Sequence, residues 1–117
     1  MAVKNSLEKQ LSANCNIVMD ILRNPKFSAL IEADFVEEAK TAFSKEGKTA
    51  TCIEFRYVRK TTPLRYGRNF FINVPQTDGD TTTVTVTTQS RKVTVVLDTV
   101  WQSEVKRVVT ALEAMIP

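Results

Sequence analysis

At 117 residues, 43% of them hydrophobic and 25% charged, the chain has the size and composition of one globular domain, residues 1–117, with its own core. Histidine is absent, which removes the usual general base near neutral pH and the commonest metal ligand, so a non-enzymatic protein without cofactor or metal is expected. No apolar run approaches the ~20 residues that cross a bilayer, and the opening MAVKNSLEKQ lacks the apolar stretch of a secretory leader; an intracellular, cytoplasmic protein with no membrane partner follows.

Asn5, with Glu8 three residues later, reads as a helix cap with a capping-box partner. Leu7, Leu11, Cys15, Val18 and Leu22 follow at three- and four-residue steps and predict one amphipathic helix. Ile17, Met19 and Ile21 widen its apolar face. That width predicts burial against two neighbours or a second copy of the chain, hence a homodimer. Asn24-Pro25 ends this helix and can start the next, because proline suits the first helical position. Phe27, Leu30, Ile31, Phe35, Ala39 and Ala42 keep helical spacing, with Gly47 as the stop. Asp34 with Glu37 can serve as an internal cap. Glu32, Asp34, Glu37 and Glu38 read as a solvated helix face.

Near residue 50 the period changes to two. Ile53, Phe55 and Tyr57 alternate with Glu54, Arg56 and Val58; Phe70, Ile72 and Val74 alternate with Asn69, Phe71 and Asn73. Thr81 to Thr88 gives a third strand, with Val84 and Val86 on one face and Thr83, Thr85 and Thr87 on the other. Val93, Val95 and Leu97 give a fourth. Asp78-Gly79 marks a turn, whose neighbouring acids are too few for a calcium loop. Asp98 or Thr99 can cap a last helix whose stripe is Trp101, Val105, Val108, Leu112 and Met115. Cys15 and Cys52 match no metal-binding or redox spacing and read as buried thiols.

The expected fold is therefore α+β: two N-terminal helices, a four-stranded antiparallel sheet and a C-terminal helix, with all helices on one face. The other face would carry Arg56, Val58, Lys60, Asn69, Phe71, Asn73, Thr83, Thr85, Thr87, Lys92, Thr94 and Val96.

The net charge of +3 is concentrated in one place. Residues 51–68 carry Arg56, Arg59, Lys60, Arg65 and Arg68 against Glu54 alone. Tyr57, Tyr66 and Phe70 are interleaved with them. Phosphates attract cations, and exposed bases stack on flat rings. These five residues, with Phe71 and Lys92 on the open face, predict a nucleic-acid surface for RNA or DNA. The order helix, strands, helix from Phe35 onward, with basic residues on the first strand, is similar in outline to the small Alu-RNA-binding subunits of the signal recognition particle. That resemblance implies RNA binding on the open face. Two other readings stand beside it: a self-associating protein-interaction module, and a carrier of apolar ligands with a pocket between helices and sheet.

Overall fold

The structure is a computed structural model that describes residues 3–45, 47–60, 67–90 and 98–117. In chain order its elements are β1 (Val3–Leu11), α1 (Cys15–Arg23), α2 (Pro25–Ile31), β2 (Asp34–Lys45), β3 (Lys48–Lys60), β4 (Gly67–Pro75), β5 (Thr82–Ser90) and α3 (Asp98–Met115). The strands form one sheet in the order β1-β5-β4-β3-β2, and every described pairing is antiparallel.

β2 to β5 form a meander, and β1 joins it beside β5. The segment between β1 and β2 must therefore cross the whole sheet. Four strand spacings are roughly 19 Å. Two short helices meet that demand, with a bend between them. Asn14 caps the first: its Oδ1 accepts the Asn16 N–H at 2.8 Å. Asn24 ends α1 and caps α2, accepting the Lys26 N–H at 3.0 Å, with Pro25 at the first helical position. The bend at Asn24-Pro25 is where the sequence puts it.

Two predicted helices are corrected. Residues 3–11 are a strand, so Asn5 and Glu8 form no capping box, and the first helix begins at Cys15. Residues 34–45 are also a strand, paired to β3 from Asp34↔Val58 to Lys45↔Lys48 with a bulge between Phe35 and Glu37. Asp34 is therefore no internal cap. Gly47, at φ 75°, turns the β2–β3 hairpin rather than ending a helix. The sheet thus has five described strands instead of four. The predicted strand at Val93–Leu97 lies outside the described residues.

Three predicted strands hold their register. Tyr57, Phe70 and Thr88 stand side by side on adjacent strands, as do Ile72 and Val86 with Leu7. This inner face bears the core: Phe55, Tyr57, Phe70, Ile72, Val74 and Val86 are fully buried. The helices cover it. α1 lies against β4, α2 against β2, and α3 against β1 and β5. They contribute Val18, Leu22, Phe27, Ile31, Val105, Val108 and Leu112. Burial of aliphatic and aromatic side chains of this size, about 1.5–3 kcal/mol each, is what holds helices to sheet. Among the described residues no helix is long and apolar enough to cross a membrane.

Candidate functional site

The basic segment does not converge on one surface. Alternation sets Arg59 on the face of Tyr57, beneath the helices. Its guanidinium donates to the carbonyls of Ile31, at 2.7 Å, and Glu32, at 3.3 Å, and lies 5.4 Å from the Phe70 ring centre. A cation here complements the C-terminal end of α2. That end is closed by Glu32 in the left-handed conformation, φ 54°. Arg59 thus ties α2 to the sheet.

Arg56 does face outward, as expected. Its Nη1 lies 3.7 Å from a Glu37 carboxylate oxygen, and its Nη2 donates to Asn69 Oδ1 at 3.5 Å. The neighbouring acids behave alike. Arg23 grips both carboxylate oxygens of Glu38, at 2.8 and 3.0 Å, and Arg107 meets Glu32 at 2.9 Å. The hydrogen bond from Arg23 draws the Glu38 carboxyl below its ordinary range and the guanidinium above its own. So Glu32, Glu37 and Glu38 are arginine partners rather than a bare helix face.

Lys60 and Arg68 are placed by their strand positions alone, at the paired ends of β3 and β4. Arg65 and Lys92 lie outside the described residues. Phe71 is half-buried on the outer face, opposite Arg56 and Thr87. Thr87 is itself buried, and its hydroxyl meets Ser6 Oγ on β1 at 3.4 Å. The threonine ladder therefore partly serves to join β5 to β1.

The inner face is the contrasting surface. Phe27 packs edge-on against Tyr57, with ring centres 5.6 Å apart. Phe35 meets Tyr57 at 5.6 Å and Phe55 at 6.4 Å, yet stays 43% exposed at the sheet edge. Leu30 and Val36 are exposed beside that edge in sequence. The Tyr57 hydroxyl donates to the Leu22 carbonyl at the end of α1. Burial first, then the nearby Glu38 charge, pushes this phenol above its ordinary value. Thr82 Oγ1 donates to the Ala13 carbonyl at 2.7 Å. Thr88, fully buried next to Phe70, has a hydroxyl with no hydrogen-bond partner. The signal for Thr88 was present in the alternation: it stands two residues after Val86, on the apolar side. The same count places Arg59 with Tyr57.

Both cysteines are buried thiols, as the sequence suggests. Cys15 Sγ donates to the Thr77 carbonyl at 3.3 Å, and Asn14 Nδ2 to the Gly79 carbonyl at 3.1 Å, so the start of α1 is tied to the β4–β5 loop. Burial pushes the Cys52 thiol up, away from reactivity. No cluster of metal-ligating side chains occurs among the described residues. A pocket of about 360 Å³ opens where β1 meets the end of α3, lined by Lys9, Leu11, Glu113 and Ile116 among others. Lys9 and Glu113 pair across it at 3.8 Å.

No protein-family model and no curated protein sequence matches the chain. Its fold does match solved structures. Ara h 8.0201 superposes with a TM-score of 0.60 at 12% identity, over 98% of this chain and 95% of that one. The Zhui aromatase/cyclase of a Streptomyces species gives 0.54 at 11% identity, over 98% and 91%. Norcoclaurine synthase of Thalictrum flavum, in complex with dopamine and hydroxybenzaldehyde, gives 0.50 at 11%, over 98% and 86%. The shared architecture is the helix-grip fold, an antiparallel sheet with helices held against it.

This overturns the nucleic-acid reading and, with it, the likeness to the Alu-RNA-binding subunits. Residues 34–45, which that likeness takes as a helix, are a strand. The fold is shared with proteins that act on small molecules. Of the expected basic surface, Arg59 turns inward and Arg56 meets Glu37. The homodimer is expected through the first helix or the open sheet face, and the helix no longer offers a surface for it. Val18, Ile21 and Leu22 are buried within their own chain, and only Ile17 of the helix's apolar face is exposed.

Proposed function

We propose that the chain is a small-molecule binding protein that holds a largely apolar ligand between the inner face of the sheet and α3. The observation that carries this reading is the inner face itself: aromatic rings on β3 and β4 and aliphatic side chains on β5, covered by α1, α2 and the 18-residue α3, which lies against β1 and β5. Ligand sites are typically apolar, with a few placed polar groups. The carrier reading drawn from the sequence is thus preferred over both binding-surface readings. Two helix-grip proteins whose fold the chain shares are an aromatase/cyclase and a synthase bound to two small aromatic molecules, which supports a ligand of that kind.

Binding without catalysis is the form we favour. Tyr57, the phenol on the inner face, is engaged by Leu22 and moved away from neutrality. Catalytic acids and bases are usually tuned toward the working pH instead. The core residues of this face have no exposed surface. A ligand reaches them only when a helix lifts from the sheet, so association should be slower than at a preformed, open site, because binding then requires a conformational change.

Thermal unfolding with 2-methylnaphthalene, an apolar probe, tests this reading. Ligand at ten times its dissociation constant stabilises the native state by about 1.4 kcal/mol, a rise in midpoint of several degrees. An unchanged midpoint up to the solubility limit of this probe and of toluene would overturn it.

A further inference from the structure

The buried hydroxyls of the described residues divide unevenly. Thr82 donates to Ala13, Thr87 meets Ser6, and Tyr57 donates to Leu22. Thr88 alone among these has no partner, and it is 0% exposed. Buried polar groups are nearly always hydrogen-bonded, so an exception calls for a reason. Valine, nearly identical in shape, would fill the same volume without the unmet hydroxyl.

The surroundings of Thr88 are specific. Its strand partner on β4 is Phe70, whose ring carries the Arg59 guanidinium 5.4 Å from its centre. Its partner on the other side, by backbone register, is Asn5 of β1. Thr88 therefore stands on the inner face between an edge strand and a fixed ring, on a strand that α3 covers. A threonine hydroxyl both donates and accepts. It can serve a hydroxyl or a carbonyl equally, whereas an unpaired carboxylate would not survive transfer to this apolar setting.

We infer that Thr88 Oγ1 is the polar anchor of the interior site and that the ligand is a flat, mostly apolar molecule carrying one neutral hydroxyl or carbonyl, which bonds Thr88 while its frame lies against Phe70. This rests on the small-molecule reading above and narrows it to a ligand class.

The test compares 2-naphthol with 2-methylnaphthalene, which differ by a hydroxyl in place of a methyl group. Dissociation constants are measured by calorimetry on the intact chain, its Thr88→Val variant and its Thr88→Ser variant. The parent is expected to prefer 2-naphthol by about tenfold, the scale of one hydrogen bond in a closed site. Thr88→Ser should keep the preference. Thr88→Val should abolish it through lost affinity for 2-naphthol, while its ligand-free unfolding midpoint stays level or rises. A preference that survives in Thr88→Val overturns the anchor. So does equal binding of the two probes by the parent, an outcome that leaves the interior site itself standing. Failure of both probes to bind overturns the site and the anchor together.

Discussion

Phe70 and Phe71 are consecutive residues on one strand, and they stand on opposite sides of the sheet. Phe70 is sealed between Tyr57, Thr88 and the helices, under the Arg59 cation. Phe71 is half-buried among Arg56 and Thr87 on a polar face. The outer face carries cations that already have acidic neighbours, such as Arg56 with Glu37. The inner face carries a hydroxyl that has no neighbour to bond, Thr88. Charge draws the eye in a sequence. Among the described residues two buried side-chain polar atoms lack a hydrogen-bond partner: Arg56 Nε on the outer face, whose guanidinium is otherwise engaged by Glu37 and Asn69, and Thr88 Oγ1, a neutral group on the apolar side whose one hydroxyl is wholly unmet.

The sharpest way to break that comparison is to truncate each ring. Phe70→Ala should cost about 3–5 kcal/mol, the range for a buried ring removed from a packed core. Phe71→Ala should cost about 1 kcal/mol or less, as befits a half-exposed site. Urea unfolding of both variants measures the difference. Similar losses would mean that the two faces are not energetically distinct.

A smaller effect is expected from Tyr57→Phe. The ring stays, and the bond to Leu22 is lost, leaving a buried carbonyl unmet. A cost of about 1–3 kcal/mol follows. Hydrogen exchange at the end of α1 should rise with it. Because the phenol titrates only above its ordinary value in the folded chain, its bond to Leu22 should persist through mildly alkaline pH.

The smallest effect belongs to the exposed pair Arg23–Glu38. Exposed ion pairs contribute about 0–1 kcal/mol, so Glu38→Gln should fall within that range and become silent at high salt. The Glu38 carboxyl is lower in the folded chain than in the unfolded one. Its contribution is therefore present above the ordinary glutamate range and lost as pH falls through the lowered folded value. A stability profile of the parent and Glu38→Gln should converge at acid pH; divergence there would reverse the sign of this linkage.

The central strands were legible because their alternation is strict. Phe55, Tyr57, Phe70, Ile72, Val84 and Val86 fall on the inner face as counted. β1 was not legible, because Leu7 and Leu11 are four apart. That step is one helical turn and also two strand repeats, so it fits both. β2 misled for another reason. Its EEAK stretch favours a helix, and pairing to β3 overrides that preference. As an edge strand with exposed residues from Asp34 to Lys40, it carries little of the apolar alternation that marks a buried one. The caps fared unevenly. Asn24-Pro25 was read correctly, whereas Asn14, the true cap of α1, was hidden inside the longer predicted helix. Arg56, Lys60, Phe71 and Lys92 were assigned to the open face by parity, whereas Arg59 was added to them by segment alone. Parity puts Arg59 beneath α2 and Thr88 beside Phe70, but it cannot say which hydroxyl lacks a partner.

One measurement bears most directly on an interior site. With methyl-labelled protein and 2-methylnaphthalene, intermolecular nuclear Overhauser effects report which methyl groups the probe touches. Contacts to Ile72, Val86 and Val108, with none to Val58 on the outer face, are the predicted result. Contacts to Val58, with Ile72 and Val86 silent, would contradict it.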